Sequence, residues 1–239
     1  MHRLNYLLIL LLFSVSAVAQ TGSFVTMSQP TANFGYIPEA GEYGRKIIMR
    51  SNVLDTIRIG KISTFCDCVT AKFDSDILYP GDSITLDLKL IPQKLAGKIY
   101  KVTHIYDENG VRLAKITVRA IIYKDINNFK DIFVEPAVLN LSQFGDKGIS
   151  QAEFYITNVT DETIPLELLF TNTEYFELDF PVYVEANKKV KGTVKLTEKG
   201  KSTEFGDSFT FNYINAKSET ILFSVSVRRK VFANKSNDK

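Results

Sequence analysis

Tryptophan is absent from this 239-residue chain, and histidine and cysteine occur only twice each. A zinc site built from several histidines cannot be assembled from that stock. Net charge is nearly absent too: 29 Lys and Arg stand against 27 Asp and Glu, so the bulk composition provides no field of one sign to attract nucleic acid or an anionic surface. Only the N-terminus holds a long apolar run, which excludes a polytopic membrane protein, and the 45% hydrophobic content excludes a disordered one. Glycine-rich phosphate loops, an EF-hand and a hydrolase nucleophile elbow are all missing. No enzyme, cofactor or metal site is expected.

What is present begins with an address. Residues 1–19 place Arg3 before an apolar run from Tyr6 to Phe13 and close on Ala17-Val18-Ala19, the three regions of a secretory signal peptide with cleavage before Gln20. The run is too short to cross about 30 Å of hydrocarbon at about 1.5 Å per residue. An exported chain, periplasmic or extracellular, with no transmembrane segment after cleavage, is the expectation. His2 leaves with the leader, so any His-dependent mechanism would rest on His104 alone.

The remaining residues carry no helical period. Short stretches rich in Ile, Val, Thr, Phe and Tyr alternate in polarity, as in Ile84–Leu90 and Val190–Leu196, and turn residues separate them. The series occurs twice. With an offset of 109 residues, Gly97 falls on Gly206, Tyr100 on Phe209, Val102 on Phe211, His104 on Tyr213, Ile116 on Val225 and Val118 on Val227, without a gap. Upstream, Phe34-Gly35 lies over Phe144-Gly145 and Ser51-Asn52 over Thr157-Asn158. Roughly seven strands in each half predict an all-β chain of two tandem immunoglobulin-like β-sandwich domains, 20–125 and 126–233, behind the signal peptide. A polar linker lies near 124–128, and 234–239 is read as a disordered tail. A pair of small β-barrels is the alternative. The alignment places Tyr100, Val102, Ile116 and Val118, with Phe209, Phe211, Val225 and Val227, inside the sandwiches, and His104 as an aromatic-like residue at the core edge.

The first half reads Phe34-Gly35-Tyr36-Ile37, then Asn52, Cys66-Asp67-Cys68-Val69, Pro80-Gly81 and Gly97. It resembles a bacterial family of unknown function whose signature runs F-G-x-I, N, C-G-C-T, P-G and G. The resemblance covers residues 30–123; the second half shares only the strand skeleton and lacks the Cys pair. It implies an immunoglobulin-like fold related to pilus chaperones, major sperm protein and the ASH domain, in exported proteins with no established catalysis. Asp67 and Val69 depart from the signature's Gly and Thr, so backbone geometry that depends on that Gly does not carry over.

Cys66 and Cys68 are the one unusual chemical feature. In an extended strand their Cα atoms would lie about 6.6 Å apart with Cβ atoms too distant to bridge, so a disulfide there requires a turn. Three readings stand: a structural pair, a redox-active thiol pair, or two soft ligands for Cu(I). Asp67 between them disfavours thiolates, and the segment itself offers no cation to lower their pKa. The expected function is a non-catalytic exported module that binds or spaces protein or other envelope components. The alternative is a periplasmic thiol-redox or copper-handling protein centred on Cys66 and Cys68.

Overall fold

The computed structural model describes residues 23–124, 129 and 131–232. The signal peptide, nearly all of the expected linker and the expected tail lie outside the described residues. In the first half the strands are β1 (Val25–Met27), β2 (Thr31–Pro38), β3 (Tyr43–Ser51), β4 (Ile57–Ser63), β5 (Val69–Phe73), β6 (Ile77–Leu78), β7 (Ser83–Leu90), β8 (Gly97–Asp107) and β9 (Arg112–Tyr123). The second half contributes β10 (Ile132–Glu135), β11 (Val138–Asn140), β12 (Gln143–Phe144), β13 (Lys147–Gly148), β14 (Gln151–Asn158), β15 (Ile164–Pro165), β16 (Glu167–Phe170), β17 (Phe176–Asp179), β18 (Tyr183–Val184) and β19 (Lys189–Leu196). A five-residue helix, α1 (Glu198–Ser202), leads into β20 (Phe205–Ile214), β21 (Thr220–Arg229) and β22 (Val231–Phe232). The all-β, immunoglobulin-like sandwich expected from the alternation is the architecture adopted.

Each half closes two sheets on its own apolar core. In the first, the sheet β1-β3-β7-β5 faces β2, β9, β8 and β4, and Phe34, Ile37, Ile47, Leu86, Ile105 and Val118 are fully enclosed between them. In the second, β10-β14-β19-β17 covers β11, β21, β20 and β16 over a phenylalanine-rich core that includes Phe154, Phe176, Phe209, Phe211 and Phe223. Burial of such side chains contributes about 1.5–3 kcal/mol each.

One sheet runs through both halves, in the order β16-β20-β21-β2-β9-β8-β4-β6, with β11 pairing β21 off that path. The join is the parallel pairing of β2 with β21 at Tyr36 and Phe223. Above it, β3 packs on β20 and β21. The outer face of β20 and β21, which a lone sandwich would leave in water, is thereby buried as a polar seam: Ser208, Thr210, Ser224 and Ser226 are all at most 4% exposed. Ser208 Oγ donates to Gly44 O, Ser224 Oγ to Phe34 O and Ser226 Oγ to Glu42 O, while the Thr210 and Ser224 hydroxyls pair at 2.7 Å. Buried hydroxyls without partners would each cost about 1–3 kcal/mol; here they stitch the halves together instead.

Two details of the expected alignment are corrected. Tyr100 is 55% exposed, and the inward residues of β8 are Thr103 and Ile105, both fully buried. Cross-strand register shows why. Val118 opposes Lys101 in the first hairpin, whereas its counterpart Val227 opposes Asp207 in the second. The offset is therefore 109 on β21 but 106 on β20, and an odd shift turns every side chain to the other face. Ile116, Val118, Phe209, Phe211, Val225 and Val227 do point inward, all at most 1% exposed. Phe144-Gly145 is likewise displaced: Ala32 opposes Val118 as Leu139 opposes Val227, which puts Leu141, not Phe144, at the place of Phe34. Leu141 is fully buried, whereas Phe144 is 56% exposed and stacks on Phe232.

Candidate functional site

The residues singled out in the sequence do not converge on one site. Phe34 is a core residue. Next to it, the pairing of β2 with β9 skips from Asn33–Arg119 to Tyr36–Ile121, a β-bulge of one extra residue. Gly35 sits in that bulge at φ +62°, and Asn33 Oδ1 accepts its N–H at 3.0 Å. A Cβ at Gly35 would stand 2.2 Å from Leu222 O of β21, so this glycine is what lets the second half approach. Ile37 returns to the core. Asn52 fastens the first strand to β3: its N–H donates to Phe24 O, and Nδ2 reaches Ser23 O and Thr26 Oγ1. Pro80-Gly81 forms the turn before β7, with Gly81 at φ +76°, and Gly97 opens β8 at φ +72°. These are folding positions.

Cys66 and Cys68 lie in the turn that carries the chain from β4, in the shared sheet, to β5, in the opposite sheet. The turn brings their Cα atoms to 5.2 Å and the sulfurs are joined in a disulfide. Both are half-buried against the first core. Cys66 O accepts from Val69 N, and Cys68 O from Ile91 N. Phe65, in left-handed backbone at φ +56°, is thrust outward and is 73% exposed. Its ring meets the edge of His104 at 5.4 Å, and His104 Nδ1 lies 3.3 Å from Tyr106 Oη. His104 is thus not a core-edge residue but part of an outward aromatic group beside the disulfide.

That group belongs to a larger face. On the solvent side of β4, β8 and β9 the outward positions carry Lys61 and Ser63; Lys98, Tyr100, Val102, His104 and Tyr106; and Arg112, Lys115, Thr117, Arg119 and Ile121. None is acidic. Among the described residues none of these five cations has a carboxylate within salt-bridge distance, whereas Lys46, Lys191, Lys199, Lys201 and Lys230 elsewhere do. The Arg119 guanidinium lies over the Tyr100 ring at 5.4 Å. A hydrogen bond with Thr117, then the charge of Lys115, hold the Tyr100 phenol below its ordinary pKa. At its β2 end the face descends into a cleft of about 420 Å³ over the join of the two halves, lined by Asn33, Tyr36, Lys98, Tyr100, Arg119 and Thr220 among others. Sequence reasoning missed this face because the charges cancel over the whole chain and only strand register gathers the cations.

Other polar side chains serve the fold. Asp107 Oδ1 caps its hairpin by accepting from Asn109 N and Val111 N, and Asp74 Oδ1 accepts from Thr85 N. Asn158, in a glycosylation-like triplet, is buried with Nδ2 donating to three carbonyls. Among the described residues no group of three or more His, Cys, Asp or Glu is placed to hold a metal, and no helix is long and apolar enough to cross a membrane.

Comparison with known proteins bears on the first half. Residues 25–122 match the family described as Protein of unknown function (DUF1573). That span runs from β1 to the last residue but one of β9 and contains the F-G bulge, the Cys66–Cys68 turn and all five cations of the face. No curated protein matches the chain. A crystal structure of a protein of unknown function from Porphyromonas gingivalis W83 is similar at 11% identity and TM-score 0.35, covering 86% of this chain and 99% of that one. WR4, a major sperm protein family member of C. elegans, is similar at 14% identity and TM-score 0.33 over 43% of this chain and 100% of its own. The E. coli chaperone DraB is similar at 9% identity and TM-score 0.32, over 84% and 96% of the two chains.

Proposed function

We propose that this chain is an exported, non-catalytic module of two immunoglobulin-like domains, 20–125 and 126–233, that binds or spaces components of the bacterial envelope. The observation that carries the reading is the seam. A sheet shared through Tyr36 and Phe223, a buried ladder of hydroxyls, and the ion pairs Lys46–Glu174 and Lys230–Glu42 hold the halves in one orientation. Such an element presents two surfaces at a fixed separation, as a spacer requires, and the disulfide between Cys66 and Cys68 suits an oxidising compartment.

The test is to express the full chain with its own leader in a bacterial host, fractionate the cells, and sequence the N-terminus of the mature protein. A chain beginning at Gln20 in the periplasmic or extracellular fraction, with no free thiol, is expected. Retention in the cytoplasm with the leader intact overturns the reading. The alternative, thiol exchange at Cys66 and Cys68, draws on the half-buried disulfide beside solvent-exposed Phe65. Measurable insulin reduction by the purified protein would establish it in place of the spacer role.

A further inference from the structure

The outward face of β4, β8 and β9 combines three properties. It holds five cations with no acidic neighbour on the same face, although the whole sequence is nearly neutral. It exposes aromatic rings, Tyr100 at 55% and Phe65 at 73%. It deepens at one end into a cleft that both halves build. Like charges gathered on one face repel one another and raise the free energy of the folded chain, so a complementary anion stabilises the arrangement.

Three features define that anion. First, β8 lies between β9 and β4, and β9 between β8 and β2, so their backbone groups are committed to the sheet. A peptide cannot add here as a further strand, and recognition must come from side chains alone. Second, the cations follow the strand pleat, with Lys98 opposite Ile121, Arg119 opposite Tyr100 and Lys115 opposite His104. Lys115 and Arg119 stand four residues apart on β9 with Thr117 between them, about 13 Å along the strand, and Lys98 lies one step beyond Arg119 on the neighbouring β8. Cations strung out in this way suit an extended chain that carries several negative groups. Third, the cleft is concave, and its lining sets Tyr100, Asn33, Thr220 and one side of the core-packed Tyr36 among the apolar Ile121, Ile221 and Leu222. Flat rings next to amide and hydroxyl groups fit a ligand with both an apolar ring face and hydroxyls, and concavity fits a chain better than the plane of a bilayer.

We propose that this face binds a linear anionic polysaccharide of the polyuronate type. Its carboxylates pair with Lys98, Lys115 and Arg119, and one sugar ring rests against Tyr100 at the mouth of the cleft. Gly35 shapes the site indirectly, because only a residue without Cβ lets Leu222 close the cleft floor against β2. The inference deepens the envelope-binding reading and rests on it for biological context, but binding by purified protein is independent of export.

The test uses the purified mature full chain and polyuronate oligosaccharides of defined length, with affinity measured calorimetrically at low and at physiological salt. Binding should weaken by at least tenfold between the two salt conditions. Arg119→Glu and Tyr100→Ala should each weaken it by about tenfold or more; both positions are exposed, so thermal midpoints should stay near wild type. Lys98→Glu provides a second charge reversal should either variant fold poorly. Neutral dextran should not bind, and poly-glutamate of matched charge should bind at least tenfold more weakly. Absence of polyuronate binding overturns the proposal. So does poly-glutamate of equal or greater affinity, which would identify an acidic peptide, and so does exclusive binding to phosphatidylglycerol vesicles, which would identify a lipid surface. Failure here with correct export removes only the ligand; correct binding with failed export removes only the envelope setting.

Discussion

Arg45 Nη2 donates a 2.9 Å hydrogen bond to Thr210 Oγ1, joining two buried side chains 165 residues apart. The guanidinium also lies over the Phe170 ring at 3.8 Å. It is therefore held between β3 of one half and β16 and β20 of the other. Burial lowers its pKa to about 10, with the Asp207 carboxylate opposing that shift; it remains charged at neutral pH. A buried charge of this kind makes the contact costly to break from either side.

Arg45→Ala and Thr210→Val should each destabilise by about 1.5–3 kcal/mol, the range for hydrogen bonds to charged groups. The double variant should lose less than the sum, because both remove one interaction. Urea melts followed by tryptophan-free probes, tyrosine fluorescence and far-UV dichroism, check this. Wild type should unfold in one transition and Arg45→Ala in two. Two separate transitions already in wild type would show that the seam does not couple the halves.

Gly35→Ala should be far more damaging than Gly81→Ala. Both glycines have positive φ, where a Cβ costs about 1–2 kcal/mol. Only at Gly35 would that Cβ also meet backbone, at 2.2 Å from Leu222 O; at Gly81 nothing lies within 4 Å. Comparable denaturation midpoints for the two variants would contradict the close approach of β2 and β21.

Thr103→Val should stabilise the protein by about 1 kcal/mol, because Thr103 is fully buried and its Oγ1 finds no hydrogen-bond partner among the described protein atoms. Tyr100→Ala should change stability by under about 0.5 kcal/mol, while Phe211→Ala should cost about 3–5 kcal/mol. The opposite ranking of Tyr100 and Thr103 in a denaturant series would restore the face order that the ungapped alignment predicts.

Glu174 links the halves by pairing with Lys46 and Lys199. Hydrogen bonds from Lys199 and then Lys46 hold its carboxyl below the usual carboxylate range. A depressed acid pKa stabilises the fold above the unfolded-state value, about 4.3, and that contribution disappears as pH falls through the lower folded value. Glu174→Gln should cost about 0.2–1 kcal/mol at pH 7 and low salt, and progressively less as pH falls below the unfolded-state value. A difference that stays constant from pH 7 to pH 2.5 would mean that the ion pairs contribute nothing.

Serine at both Cys66 and Cys68 should lower stability by about 1–2 kcal/mol, the loop-closure entropy of so short a ring. Calorimetry under non-reducing conditions measures it. A variant as stable as wild type would leave the pair without a structural role.

Much of this architecture is legible in the chain itself. Alternation in Ile84–Leu90 and Val190–Leu196 specifies strands with one buried face, because successive side chains must point to opposite sides of a pleated ribbon. The all-β class and the inward residues of β9 and β21 follow from that local rule. Turn residues such as Pro80-Gly81 act locally too, and are read in the same way. The face of β8 was not legible, because a three-residue difference in hairpin register leaves apolar residues aligned in the string while inverting them in space. Nor was the seam: Ser208, Thr210, Ser224 and Ser226 read as a solvent face, since hydroxyls alternating with Phe and Val look the same whether water or a second sandwich covers them. Tertiary structure alone decided that Gly35 would admit Leu222, that Arg45 would be buried, and that cations spread over three strands would form one patch. Each of those outcomes depends on distances between residues far apart in the chain, and long-range register sets those distances.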